Sequence, residues 1–67
     1  MRISYNKLWK LLIDKNMKKS DLKDQAGISS ASLAKLGRGD NITTDVLLKI
    51  CEAMKCHLED IMETVDE

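Results

Sequence analysis

The stretch LKDQAGISSASLAKL, residues 22–36, decides how this chain folds. Lys19 to Ala26 carry helix-forming spacing, with Leu22 and Ala26 one turn apart on a shared side. Gly27 then interrupts the pattern. Glycine enters the left-handed backbone region that commonly follows a helix without the Cβ strain other residues meet there. Ile28 offers an apolar plug inside the bend. Ser29 is placed to accept a hydrogen bond from the free backbone N–H groups that open the next helix. Leu33 and Leu36 turn inward, which leaves Ser30, Ala31, Ser32 and Lys35 on the outer side. All but the lysine are small. The stretch predicts two short helices meeting across a tight bend, the second slim enough on its outer face to enter a groove.

Upstream, Tyr5, Leu8, Trp9, Leu12 and Ile13 recur at helical spacing, with Leu11 widening the stripe. They predict a helix over 5–15 with Ser4 as its N-cap. Asn16 suits the left-handed position that ends it, and Met17 forms an apolar staple across the bend. Lys18 stands at the N-cap of the second helix, where a lysine cannot accept the capping bond; Ser20 is the fallback cap. Downstream, Gly37 to Asn41 reads as a polar loop whose two glycines and Asn41 permit positive φ. Thr43 or Thr44 caps a fourth helix to about Lys55, with Val46, Leu47, Ile50, Cys51 and Met54 facing inward. Cys56 and His57 make a corner. A fifth helix is expected from Leu58 to about Met62 or Thr64, with Glu59 and Asp60 at its positive end. Val65 to Glu67 are expected to fray. This organisation implies one domain over 1–67 with an ordered core of about 4–63.

Composition agrees. The chain has 67 residues, no proline, three glycines and a third of its residues charged, which favours an all-α domain over a β-rich one. Trp9 and Tyr5 are its two aromatic residues, so the core is aliphatic. No apolar run approaches the length of a membrane span and no signal-peptide pattern stands out, so a cytoplasmic location is expected. Cys51 and Cys56, with His57 beside them, fall short of a zinc set and read as small buried hydrophobes. A lone histidine, no nucleophile–base pair and no phosphate loop argue against an enzyme, and no cofactor is expected. The formal net charge is zero, yet residues 1–38 hold nine Lys and Arg against three Asp, while residues 39–67 hold two Lys against eight Asp and Glu. A polyanion at the basic pole would feel the local field, because screening over about 8–10 Å hides the far pole.

The runs KKSDLKDQAGISSASLAKL (18–36) and GRGDNITTDVLLKICEAMKCHLEDIM (37–62) resemble the lambda-repressor/Cro type of helix-turn-helix domain, and most of all the small stand-alone bacterial regulators of that superfamily. The likeness spans residues 4–63. It rests on Leu22, Ala26, Gly27, Ile28, Ser29 and Leu33, and on the later stripe Leu47, Ile50, Cys51 and Met54. The resemblance implies a compact five-helix domain with the motif at helices 2 and 3. It implies a bacterial or phage regulator, a repressor by preference, that binds double-stranded DNA at a pseudo-palindromic operator.

On this reading the first turn of helix 3 meets the bases. Ser30, Ala31 and Ser32 are the candidate base contacts, with Lys35 one turn on. Serine donates or accepts, alanine touches a thymine methyl, and lysine reaches guanine O6 and N7. No Arg, Asn or Gln is present there for a bidentate contact, so direct readout is thin and DNA shape, dimer spacing or water carries more of the specificity. Lys19 occupies a position that in the family often meets a phosphate. Lys18, Ser29, Arg38, the Asn41 backbone and Lys23 are further phosphate candidates, whereas Lys7, Lys10 and Lys15 read as solvated lysines. Relatives often form homodimers through the last helix, which makes Leu58, Ile61, Met62 and Val65 the expected interface; a core-capping helix in a monomer is the alternative. One departure is notable. Many relatives pair an Arg on helix 1 with a Glu ending helix 3, and here Leu12 and Gly37 stand at those positions, which suggests an apolar replacement. A competing reading is a protein-interaction module, such as an antitoxin or anti-repressor, whose acidic face of Glu59, Asp60, Glu63, Asp66 and Glu67 binds a basic partner.

Overall fold

A computed structural model describes residues 1–66. Along the chain run a strand β1 (Arg2–Ser4), helices α1 (Asn6–Asp14), α2 (Lys19–Ala26), α3 (Ser30–Arg38) and α4 (Thr44–Met54), a single 3-10 turn (Leu58–Asp60) and a strand β2 (Glu63–Val65). Among the described residues there are thus four α-helices, not the five expected, and a two-stranded sheet that helical spacing does not predict.

Each helix stops where the backbone turns left-handed. Asn16 ends the α1 bend at φ 55°, Gly27 ends α2 at 68°, Gly39 ends α3 at 76° and Lys55 ends α4 at 54°. Three starts are capped by side chains. Asp21 Oδ2 accepts the Lys18 backbone N–H at 2.9 Å, so the cap of α2 that Lys18 cannot provide comes from the third helical residue, and Ser20 lies inside the helix. Ser29 Oγ accepts from the Ser32 N–H and Thr43 Oγ1 from the Val46 N–H, as expected. Tyr5 takes the N-cap position of α1, while Ser4 Oγ, buried beside it, accepts the Asn6 N–H at 3.3 Å.

The core joins Tyr5, Leu8 and Leu12 to Leu22, Ile28 and Leu36, and both to Leu47, Ile50, Cys51 and Met54 of α4. Ile61 completes it and is 0% exposed. The lid over this end of the core is therefore the 3-10 turn and one isoleucine, not a helix. Beyond it Glu63, Thr64 and Val65 extend and pair antiparallel with Ser4, Ile3 and Arg2. The β-branched Ile3, Thr64 and Val65 suit that extended backbone. The reading of Val65 as frayed is corrected accordingly, and Glu67 lies outside the described residues. Lys7 fastens the closing segment, donating to the Glu59 carbonyl at 3.0 Å and lying 3.8 Å from the Glu63 carboxylate.

Three further expectations change. Ile13 has helical spacing but finds no wall to pack against and is 72% exposed. Gly37 and Arg38 belong to α3, so the loop is shorter than expected, and Asn41 does not adopt positive φ. Leu12 enters the core, but Gly37 is exposed, with nothing within 4 Å of where its Cβ would lie. The apolar replacement of an ion pair is realised on one side only.

Candidate nucleic-acid interface

The bend Gly27–Ser29 is held from both sides. The Ile28 N–H reaches back to the Lys23 carbonyl at 3.2 Å, and the Ile28 side chain plugs the space beneath, buried as expected. α3 then leaves with its first turn fixed by Ser29, which also makes a hydroxyl–hydroxyl hydrogen bond to Ser32 Oγ at 3.1 Å. Leu36 is buried and Leu33 half-buried, so the inward side of α3 is as expected. Ser30, Ala31 and Lys35 are exposed on the outer side, and Ser32 is half-buried beside them. The four residues proposed from sequence as base contacts therefore lie on one helix, three of them exposed.

The cations around that face differ in their freedom. Lys19 opens α2 with its ammonium 4.5 Å from the centroid of the Trp9 ring. Trp9 is half-buried, so a ring that the helical spacing places on the core stripe also backs a cation. Lys23 crosses the bend and donates to Ser30 Oγ at 3.1 Å. Lys18 is exposed at the α2 N-cap. Arg38 is engaged: its Nε lies 2.8 Å from Asp40 Oδ2, so it meets a polyanion partly neutralised. Asp40 in turn is fixed through its backbone carbonyl, which accepts from the Tyr5 hydroxyl at 2.9 Å. Asn41 is exposed just beyond. Ser29 is exposed, but its oxygen already serves as the cap of α3.

The shifted titrations belong to residues outside α3. Burial pushes the Tyr5 hydroxyl above its ordinary value, helped by the Asp40 carboxylate. Burial likewise raises the Cys51 and Cys56 thiols, which interact with each other at the end of α4. Among the described residues no group of three or more His, Cys, Asp or Glu side chains is arranged to hold a metal ion, and no helix is long and apolar enough to cross a membrane.

The expected dimer residues do not form one helical strip. Leu58 is exposed on the 3-10 turn, Met62 and Val65 are half-buried, and Ile61 is sealed inside the chain's own core, out of reach of any partner. The acidic side chains Glu59, Asp60, Glu63 and Asp66 are exposed, with Glu63 drawn toward Lys7; Glu67 lies outside the described residues.

A short helix fixed by a glycine bend, with small side chains outward and lysines at its flank, defines a helix-turn-helix domain of the DNA-binding kind. Residues 7–67 match the Cro/C1-type helix-turn-helix DNA-binding domain, and the chain belongs to that family. Its fold is similar to that of the transcriptional regulator VanUg, crystal form II, at 52% identity and a TM-score of 0.94, over 98% of this chain and 88% of that one. Comparison with curated proteins finds no match.

Proposed function

We propose that this protein is a sequence-specific transcriptional regulator that represses by occupying an operator, with α3 seated in the major groove of double-stranded DNA. The observation that carries the reading is the open outer face of α3, where Ser30, Ala31 and Lys35 are exposed and Lys23 reaches across the bend to Ser30. The likeness to VanUg, itself described as a transcriptional regulator, supports the same reading. In this role Ser30, Ala31, Ser32 and Lys35 meet base edges, and Lys18, Lys19 and the backbone near Asn41 meet phosphates. The protein acts as a cytoplasmic homodimer without enzymatic activity. Leu58, Met62 and Val65 supply its contact surface, and the two recognition helices stand about 34 Å apart, one turn of DNA. Footprinting on its own promoter region with a salt titration tests the reading. Protection of two half-sites, weakening steeply as salt rises, is the expected result. No protection even at low salt would sink it.

A further inference from the structure

We infer that Lys23, carried by α2, is a specificity-determining residue that works with Ser30 to select a guanine at the leading end of each half-site. The inference rests on the DNA-binding reading above and adds a base preference to it.

Ser30 is the first residue of α3, and its hydroxyl lies on the exposed outer side with Ala31. The Lys23 ammonium donates to that hydroxyl at 3.1 Å. A lysine of the preceding helix is thereby drawn forward onto the reading surface, unlike Lys19, which rests against Trp9 at the other end of α2.

The hydrogen-bond inventory of the pair then decides what it can read. An ammonium has three donors and no acceptor, so two N–H groups remain after Ser30 is served. Ser30 has given a lone pair to Lys23, and its own O–H is left to donate outward. An incoming N–H group would meet the positive charge of Lys23 beside the remaining lone pair. The pair therefore presents donors and rejects them. In the major groove guanine offers two neighbouring acceptors, N7 and O6. Adenine sets an amino donor beside its N7, cytosine shows an amino donor, and thymine has a single acceptor beside a methyl group. Guanine is the edge this pair fits.

The test uses the full chain and a duplex selected from random DNA. Binding is measured for the wild type, Lys23→Met and Ser30→Ala on that duplex, on one with the G·C pair facing the start of α3 changed to A·T, and on one carrying 7-deazaguanine there. The wild type should lose roughly 5- to 150-fold on the changed duplexes, the discrimination expected of a good base contact. Lys23→Met should bind all three alike, and Lys23→Arg should restore the preference. Circular dichroism of each variant confirms that the helices persist. If Lys23→Met instead weakens every duplex equally and lowers the salt slope by about one, Lys23 is a phosphate contact and the inference is overturned. Selected sites without guanine at that position overturn it too, with the regulator reading intact. Failure to bind any duplex at low salt overturns both.

Discussion

The ammonium of Lys19 lies 4.5 Å from the centroid of the Trp9 ring, so the cation that opens α2 is steadied by an aromatic face supplied by α1. At an exposed site such a pair contributes about 0.5–1 kcal/mol. Two variants separate charge from positioning. Lys19→Met should flatten the salt dependence of DNA binding by about one unit of slope. Trp9→Leu keeps the charge and should weaken binding a few-fold at unchanged slope. Trp9 is the one tryptophan of the chain, so its fluorescence reports the event directly in the wild type. An unchanged slope in Lys19→Met would remove Lys19 from the contacts.

Ile61 and Leu58 should behave oppositely. Ile61 is 0% exposed and Leu58 40%. Truncating a buried isoleucine to alanine costs about 2–5 kcal/mol, a large share of the stability of so small a domain. Leu58→Ala should stay within about 0.5 kcal/mol in the monomer, yet raise the dimer dissociation constant if the proposed contact surface is right. Urea unfolding and sedimentation of the two variants check this pair of outcomes.

Gly37 is a place where the protein can be improved. It lies in α3 at ordinary helical φ, and an added Cβ meets nothing within 4 Å. Gly37→Ala should stabilise by about 0.5–1 kcal/mol through reduced freedom of the unfolded chain. Gly39→Ala has equal room but sits at φ 76°, and there a methyl group is strained by about 1–2 kcal/mol. Thermal melts should move in opposite directions for the two.

Alkali should loosen the fold in a defined order. The Cys51 and Cys56 thiols and the Tyr5 hydroxyl are all held above their ordinary values, 9.0 for the thiols and 10.0 for the phenol, chiefly by burial. The folded state therefore keeps these protons where the unfolded chain releases them. Their contribution is whole below pH 9, begins to fall above it as the thiols of the unfolded chain ionise, and falls further above 10. Tyr5→Phe should flatten the later part of this decline. It should also cost about 0.5–1.5 kcal/mol at neutral pH, because the Asp40 carbonyl loses its donor. A urea series at rising pH that shows equal slopes for wild type and Tyr5→Phe above pH 10 would refute the assignment.

The parts of the fold that could be read from the sequence are those set by neighbours along the chain. The bend at Gly27, the Ser29 and Thr43 caps and the left-handed Asn16 follow from backbone rules acting over a few residues, and the inward leucines of α3 follow from helical period. The chain's last segment obeys a different rule. Leu58, Ile61, Met62 and Val65 have spacing that fits a helix, but a single buried isoleucine at residue 61 satisfies the core, and residues 63–65 find strand partners at the opposite end of the chain. No local window contains that pairing. The site divides in the same way. Its outer residues on α3 could be read from periodicity, whereas the partners that restrain its cations could not. Trp9 under Lys19 and Ser30 before Lys23 are contacts between helices, and the Arg38–Asp40 pair depends on how Gly39 turns the backbone.

The antiparallel ribbon of β1 with β2 has a bearing on the order in which the parts can form. Arg2–Ser4 precede all four helices along the chain, and their mates follow them. The recognition unit lies wholly between the two strands, so it can assemble before the ribbon zips. Free chains truncated before Glu63 should leave the β1 amides open to hydrogen exchange, and chains continuing past Val65 should protect those that pair.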